Sequence, residues 1–285
     1  MKVYYTPKML GPAHAVSPSA YKPAEVMASW LQIAPDLEVI APSPVTVSQF
    51  CLAHDVRFVG DVLAGRRRNG FGNTSPEIAA SLPYTSGSML AAAREALRNG
   101  RVAIAPCAGF HHATFDCAAD FCTFNGLMVA ARVLLHEGAA RKVGILDADM
   151  HYGDGTDAIL EDTGERRVSH FSVGEHYCEL GDAAPFFERL PEILATFDGC
   201  DVLLYQAGAD PHIDDPLGGW LTTEQLRERD RIVFEHCATR ALPVAWNLAG
   251  GYQKPLRRVL DIHDNTLREC LRVYDPERSS GWGKA

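Results

Sequence analysis

The sequence predicts an α/β protein with a mainly parallel central sheet flanked by helices, as a single domain over residues 1–285. Through most of the chain, short apolar runs of strand length alternate with longer segments of helical periodicity, the pattern of a parallel sheet with helical crossovers. With 285 residues, 47% of them hydrophobic, the chain can bury a large core. We find no internal repeat, linker or low-complexity tract that would divide it.

The first elements are short. The apolar and aromatic residues 3–6 predict a strand, and residues 38–40 predict a second. Between them, residues 23–32 predict a helix, because Pro23 suits a first helical position and apolar side chains follow at helical spacing. Two short helices and then an exposed loop rich in Gly, Asn and Ser, placed to border a pocket, are predicted over residues 47–53, 57–63 and 66–76.

Regular alternation of helix and strand begins at residue 84. Gly100 and Gly138 mark two helix ends, since glycine readily adopts the left-handed conformation of a C-cap. Thr222 followed by Gln225 forms a capping box that starts a long helix. The predicted strands occupy residues 102–105, 143–146, 168–173, 202–205 and 244–248. The predicted helices occupy residues 84–99, 125–137, 185–197, 223–239 and 255–274.

Composition excludes several classes of function. The net charge of −9 argues against nucleic acid as a main partner, and the short run of arginines at residues 66–68 does not reverse this. The eight cysteines show no CxxC spacing, so we interpret them as reduced thiols. No signal segment and no apolar stretch of membrane-spanning length is present, so we expect a soluble, cytoplasmic protein.

Four predicted strands are each followed at once by a polar cluster. The carboxyl ends of parallel strands share one edge of the sheet, where ligands of α/β proteins bind, so we expect the clusters to converge. They lie at residues 109–112, 147–155, 208–210 and 250–252.

Each cluster also has an ordinary structural interpretation. A DxDxH triplet alone can be a turn or a helix N-cap, and either of two tandem histidines can be a core residue. Gly-Ala-Asp is often a turn, and Gly-Gly-Tyr is often a loop with an aromatic lid. Their occurrence together, each at a strand end, favours a common site.

The clusters contain the groups needed for metal-assisted amide hydrolysis. Asp149, His151 and Asp210 would ligate zinc and leave the fourth position open for water or a carbonyl oxygen. His112 or His111 would serve as general base. Asp147 and Asp154 would each orient one imidazole by accepting its other ring proton. Tyr252 would donate its hydroxyl to the developing oxyanion.

In these clusters, from about residue 47 onward, the sequence resembles the zinc-dependent deacetylases of the histone deacetylase and acetylpolyamine amidohydrolase family, which have the arginase-deacetylase fold. The resemblance implies zinc ligation by Asp149, His151 and Asp210, with iron possible in its place. It implies that His112 is the general base and that Asp147 and Asp154 are the relay aspartates paired with the tandem histidines. It also implies that Phe121 lines the acyl-lysine tunnel. It also implies a structural potassium site at Asp147, Asp149, Ser172 and Val173.

The sequence departs from the family pattern around the tunnel. Phe110 ends an Ala-Gly-Phe where the family has Pro-Pro-Gly, Tyr152 replaces a second histidine, and residues 175–182 replace a Phe-Pro-Gly-Thr-Gly loop. Residues 66–84 leave no room for the insertion that narrows the channel of polyamine deacetylases. We therefore expect an accessible pocket that takes acyl-lysine on proteins or peptides, or small acylated amines. The oligomeric state, monomer or homodimer, stays open.

Two alternatives to a deacetylase remain. An arginase-like ureohydrolase would share the fold but needs two manganese ions and further ligands, whereas this chain has Asp147-Ala148-Asp149 in the place of Asp-Ala-His-x-Asp. A non-catalytic relative would keep the pocket to bind acylated ligands, yet it has no evident need for both a base and an oxyanion donor.

Overall fold

The protein is built around a seven-stranded sheet in which every neighbouring pair of strands is parallel. The computed structural model describes residues 1–12 and 17–279. The strand order is β2-β1-β3-β7-β6-β4-β5, which confirms the predicted fold class. The strands are β1 (Lys2–Tyr4), β2 (Glu38–Ile40), β3 (Val102–Ala105), β4 (Val143–Asp147), β5 (Val168–Ser172), β6 (Val202–Gln206) and β7 (Val244–Asn247).

Helices connect the strands and cover both faces of the sheet. The first six are α1 (Lys22–Ile33), α2 (Val47–Phe50), α3 (Val56–Leu63), α4 (Pro76–Asn99), α5 (Gly126–His136) and α6 (Asp154–Thr163). The others are α7 (Val173–His176), α8 (Ala183–Ala195), α9 (Thr223–Thr239), α10 (Arg257–Tyr274) and α11 (Pro276–Ser279).

The core has two layers, one on each face of the sheet. Along β3, Ile104 belongs to a core shared with α1, α8, α9 and α10, whereas Ala103 and Ala105 belong to a core shared with α3, α4 and α5. This alternation is the two-residue period of a strand buried on both faces. In the first layer, the rings of Trp30 and Trp246 lie 5.3 Å apart between centroids.

Among the helices of eight or more residues, two differ most from the sequence prediction; the four-residue helices α7 and α11 were not predicted, and α2 is shorter than predicted. Helix α4 begins at Pro76, because the Ser75 side chain caps it by accepting from the Ile78 N–H; the predicted start at residue 84 was wrong, since Pro83 is tolerated inside the helix. Helix α6 was not predicted. Its few buried residues give a weak apolar pattern, but acidic residues in its first turn favour the helix dipole and Gly164 provides a left-handed C-cap.

Four strands place their carboxyl ends side by side at the centre of the sheet. They are the consecutive neighbours β3, β7, β6 and β4, the same four strands that precede the polar clusters. Asp147 at the end of β4 lies opposite Gln206 of β6, which lies opposite Asn247 of β7. All eight cysteines are free thiols. Among the described helices, none has the length and apolar character needed to cross a bilayer.

Candidate metal centre and active site

The predicted ligands Asp149, His151 and Asp210 meet beyond the carboxyl ends of β4 and β6. One ligand atom from each lies within 4.8 Å of the other two. His151 Nδ1 is 3.1 Å from Asp149 Oδ1 and 3.3 Å from Asp210 Oδ2. Both carboxylates are buried. Within the described part of the chain, this is the one such group of His, Cys, Asp or Glu side chains.

The electrostatics of this group fit a bound cation. Asp210 Oδ2 is buried and accepts no hydrogen bond from the described residues. Burial and the charge of Asp149 raise the pKa of Asp210. The hydrogen bond with Asp149 and the nearby carboxylate of Asp210 raise the pKa of His151 to about 11. A divalent cation would replace the proton on His151 and neutralise the two carboxylates, so the donor set fits a metal.

Backbone groups hold the two carboxylates in place. Asp149 Oδ2 accepts from the Gly250 N–H at 2.8 Å, and Asp210 Oδ1 accepts from the Met150 N–H at 3.3 Å. A Cβ atom on Gly250 would lie 2.0 Å from Asp210 Oδ2 and 2.9 Å from Asp149 Oδ2. Only glycine at position 250 lets the backbone approach the candidate ligands this closely.

His111 forms a buried pair with Asp147. His111 Nδ1 lies 2.7 Å from Asp147 Oδ2. Asp147 Oδ1 accepts from Gln206 Nε2 at 2.8 Å and from the Asp149 N–H at 3.2 Å. Burial alone would lower the pKa of His111, but Asp147 and Asp149 more than reverse this and raise it to about 9. His111 is therefore poised to carry a positive charge beside the candidate metal site.

His112 forms a second pair, with Asp154, nearer to solvent. His112 Nδ1 lies 2.7 Å from Asp154 Oδ1, and the Asp154 side chain is 56% exposed. The rings of His111 and His112 are 4.1 Å apart between centroids, and those of His112 and His151 are 6.0 Å apart. The two histidines therefore sit side by side, and His112 is the more exposed of the two.

Tyr252 and Phe121 stand beside these groups. Their ring centroids are 6.0 Å apart. The Tyr252 N–H donates to Asp215 Oδ2 at 2.8 Å, which fixes the backbone that carries the ring. Burial raises the pKa of the Tyr252 hydroxyl well above its usual value, so it stays protonated and can donate a hydrogen bond.

A cavity of about 790 Å³, part of it open to solvent, joins these side chains. Six of the predicted site residues line it: His111, His112, Phe121, Asp149, His151 and Tyr252. Phe110, which departs from the family pattern, lines it too. The relay carboxylates Asp147 and Asp154 lie behind their histidines, and Asp210 lies behind Gly250.

The residues predicted for a structural potassium ion lie at the adjoining ends of β4 and β5. Asp147 and Ser172 are register partners, and Ser172 Oγ accepts from the Gly153 N–H at 2.9 Å. Val173, which begins α7, is buried. These contacts bring the four predicted residues into one region, and the ion itself stays a prediction.

The departures from the family pattern have separate structural effects. Phe110 is buried against the start of α5, where a Cβ on Gly126 would be 2.5 Å from its ring. The Tyr152 hydroxyl donates to Asp157 Oδ2 at 2.7 Å, and Asp157 Oδ1 lies 2.7 Å from His170 Nδ1. None of the described residues 175–182 lines the cavity.

Three residues at the site carried no signal in the sequence. Lys22 is fully buried and donates from Nζ to the carbonyls of Ala249 and Gly250, at 2.6 and 3.0 Å. Burial lowers its pKa to about 8, although nearby carboxylates oppose the shift. Gln206 supports Asp147, and Asp215 supports Tyr252. Each acts through a partner remote in sequence, so local pattern could not reveal it.

The single parallel sheet flanked by helices, together with the structural neighbours described below, places the chain in the arginase-deacetylase fold class. The family model described as "Histone deacetylase domain" matches residues 14–181 and 182–267. The chain therefore belongs to the family of histone deacetylases and acetylpolyamine amidohydrolases. Membership supports a hydrolase of the deacetylase type.

Relatives from three different organisms are similar to the chain. An uncharacterised protein of Picosynechococcus is 30% identical over 227 residues, which cover 73% of this chain and 75% of that protein. A probable deacetylase of Methanothermobacter thermautotrophicus is 27% identical, over 53% of this chain and 54% of its own length. Histone deacetylase 6 of Caenorhabditis elegans is 29% identical over 45% of this chain, and the match spans only 16% of that protein.

Two solved structures share the fold. The HDA15 HD domain superposes with a TM-score of 0.75 at 19% identity, covering 100% of this chain and 99% of the other. An acetylpolyamine aminohydrolase from Burkholderia pseudomallei superposes with a TM-score of 0.71 at 20% identity, covering 96% and 99%. At these identities the comparison establishes the architecture, which agrees with the predicted arginase-deacetylase fold.

Proposed function

We propose that the protein is a zinc-dependent amidohydrolase that removes acetyl or other short acyl groups from acylated amines, such as acetyl-lysine or acetylpolyamines. The observation that carries the proposal is the convergence of three candidate ligands, an imidazole pair and a tyrosine on one cavity. Each of these groups has a separate task in amide hydrolysis.

Asp149, His151 and Asp210 would hold the zinc, and two of them, Asp149 and His151, line the cavity from which a substrate would approach. Zinc bound there supplies Lewis acidity, which polarises an acyl carbonyl and lowers the pKa of water toward ~7. The same oxygen-rich set would also accept iron.

His112 is the proposed general base. Asp154 engages its Nδ1, which fixes the tautomer and leaves Nε2 to take a proton from water and return it to the departing amine. His111 sits alongside, and Asp147, which lies 2.7 Å from its Nδ1, would stabilise a charged imidazole that helps to balance negative charge in the transition state.

Tyr252 is the proposed oxyanion donor. Its hydroxyl stays protonated because burial raises its pKa, and it lines the same cavity as His112. Asp215 and Lys22 hold the backbone on either side of Gly251, which has a φ of +134°. The loop is thereby preorganised to present the hydroxyl.

The substrate proposed is an acylated amine or acyl-lysine peptide that reaches an accessible pocket. Residues 175–182, which replace the family's Phe-Pro-Gly-Thr-Gly loop, do not line the described cavity, which supports an open entrance. The potassium site at Asp147, Asp149, Ser172 and Val173 is proposed as a structural element beside the zinc.

The test is turnover of zinc-loaded protein on a panel of acetyl-lysine peptides, acetylated polyamines and longer acyl-lysines. His112→Ala and Tyr252→Phe should each lower kcat by ~10² or more while the protein keeps its zinc, because neither residue is a ligand. Tyr84→Phe is the matched control, since its hydroxyl accepts from Lys8 Nζ at the surface and Tyr84 does not line the cavity. Full activity of Tyr252→Phe would refute the oxyanion role.

The panel also separates the alternatives. An arginase-like enzyme would release urea and bind two manganese ions per chain, whereas the described residues contain a single candidate group. A non-catalytic relative would bind the acylated ligands without releasing acetate. Failure on every acylated amine in the presence of stoichiometric zinc would contradict the proposed function.

A further inference from the structure

We infer that Phe71 determines specificity for the length of the substrate's alkyl stem. Phe71, Phe121 and Tyr252 form one aromatic wall, and the alkyl stem lies along it. The inference rests on the proposed function, since it concerns the amine side of the same cavity. Phe71 lies in the loop between α3 and α4, and it lines the cavity together with Phe121 and Tyr252.

The three rings contact one another in a row. The centroids of Phe71 and Phe121 are 5.9 Å apart with planes inclined by 42°. The centroids of Phe121 and Tyr252 are 6.0 Å apart with planes inclined by 43°. A methylene chain between two rings needs roughly 7–8 Å, twice the carbon–carbon contact distance. The substrate therefore cannot lie between these rings and must lie along their shared face.

Internal hydrogen bonds fix the loop that carries Phe71. Asn69 is buried, and its Oδ1 accepts from the Phe71 N–H at 2.9 Å. Asn69 Nδ2 donates to Asn73 Oδ1 at 2.9 Å, and the Asn69 N–H donates to the Asn73 carbonyl at 2.7 Å. Phe71 is thus held by a closed turn, which reduces the entropy that substrate binding would otherwise cost.

The same loop is joined to the segment that carries Phe121. The Gly70 N–H donates to Thr123 Oγ1 at 3.0 Å, and the Phe121 N–H donates to the Gly70 carbonyl at 2.9 Å. A Cβ on Gly70 would lie 2.4 Å from the Cys122 carbonyl oxygen, so only glycine permits this junction. Phe121 has a φ of +67°, a conformation that these contacts help to maintain. Phe71 and Phe121 therefore form one rigid unit.

None of the described residues 173–182 lines the cavity, so that segment adds no apolar contact opposite the wall. Of the Phe and Tyr side chains that do line it, Phe110 and Phe124 are buried, which leaves the three rings of the wall to contact an alkyl stem. Tyr252 is nearest to the candidate metal site, and Phe71 is two rings away. Only a substrate with a long enough alkyl stem reaches Phe71.

The experiment compares Phe71→Ala with the unmodified, zinc-loaded protein on acetylated ethylamine, butylamine, hexylamine and octylamine. In the unmodified protein KM should fall as the chain lengthens. Phe71→Ala should raise KM for the longer amines about fivefold, which is the effect of losing roughly 40 Å² of apolar contact. It should leave kcat for every amine, and KM for acetylated ethylamine, unchanged. Phe71→Leu should restore part of the difference. Phe187→Ala is the matched control, because this half-buried ring packs on Phe186 away from the cavity.

An equal KM change for short and long amines, or none, would overturn the inference. Gly70→Ala offers a second variant and should reproduce the effect of Phe71→Ala, because it separates the loop from Phe121. If the unmodified protein hydrolyses none of the amines, the proposed function fails instead. Calorimetric affinities of linear alkyl hydroxamates for the zinc-loaded protein then test the wall by itself. A chain-length dependence that Phe71→Ala leaves unchanged would refute it.

Discussion

Gly250→Ala should disable the candidate metal site without removing a ligand. The added Cβ would lie 2.0 Å from Asp210 Oδ2 and 2.9 Å from Asp149 Oδ2, whereas non-bonded contacts between such atoms are above ~3 Å. Asp210 or the loop must therefore move by about 1 Å. Displacement on that scale is expected to cost ~10²-fold in turnover and a comparable factor in metal affinity, because functional groups must be held within roughly 0.5 Å.

The assay is zinc affinity by competition with a chromophoric chelator, alongside kcat on the best acylated amine. Gly199→Ala is the matched control, because a Cβ at that exposed position would meet nothing within 4 Å. Circular dichroism and thermal unfolding show whether the variant is folded. Unchanged zinc affinity and turnover in folded Gly250→Ala would refute the assignment of Asp149 and Asp210 as ligands held by this loop.

The remaining predictions concern the carboxylate–imidazole pairs and a buried histidine. Asp154→Asn should lower kcat by about tenfold with little loss of stability, because its side chain is 56% exposed. Asp147→Asn should also lower the free energy of unfolding, since its buried carboxylate accepts three hydrogen bonds. Equal effects of the two variants on kcat and on urea unfolding would contradict this prediction. Burial lowers the pKa of His54 to about 4. The unfolded chain therefore takes up a proton near pH 6.5 that the folded chain refuses until about pH 4, and stability should fall by about 3 kcal/mol as the pH drops through that window. Urea unfolding of His54→Gln should show a shallower pH dependence, and an identical slope would exclude His54 as the cause.

Local sequence pattern predicted most of the secondary structure. The strand over residues 102–105 and the helix over residues 223–239 have the predicted bounds, because an uninterrupted apolar run and a capping box are local signals. Helix α6 has few buried residues, and Pro83 interrupts the pattern of α4, so those two elements were missed or shortened. Packing against neighbouring elements, rather than intrinsic pattern, stabilises helices of this kind.

The grouping of the candidate site was also predictable in outline. Parallel strands end at one edge, so polar clusters that follow strands must lie near one another. The sequence could not show that β3, β7, β6 and β4 are consecutive neighbours, nor that Asp147 faces His111 while Asp149 faces His151. Those facts depend on strand order and on the turn after β4.

By itself, the sequence determined the α/β class, the strand ends that carry chemistry and the residue types able to hold a metal and move a proton. These follow from periodicity and from functional groups, which are properties of short segments. The tertiary structure decided which partners each group has: Lys22 beneath the Gly250 carbonyl, Asp215 behind Tyr252, and Phe71 beside Phe121. These pairs join residues dozens to hundreds of positions apart, and only the packed fold brings them within contact distance.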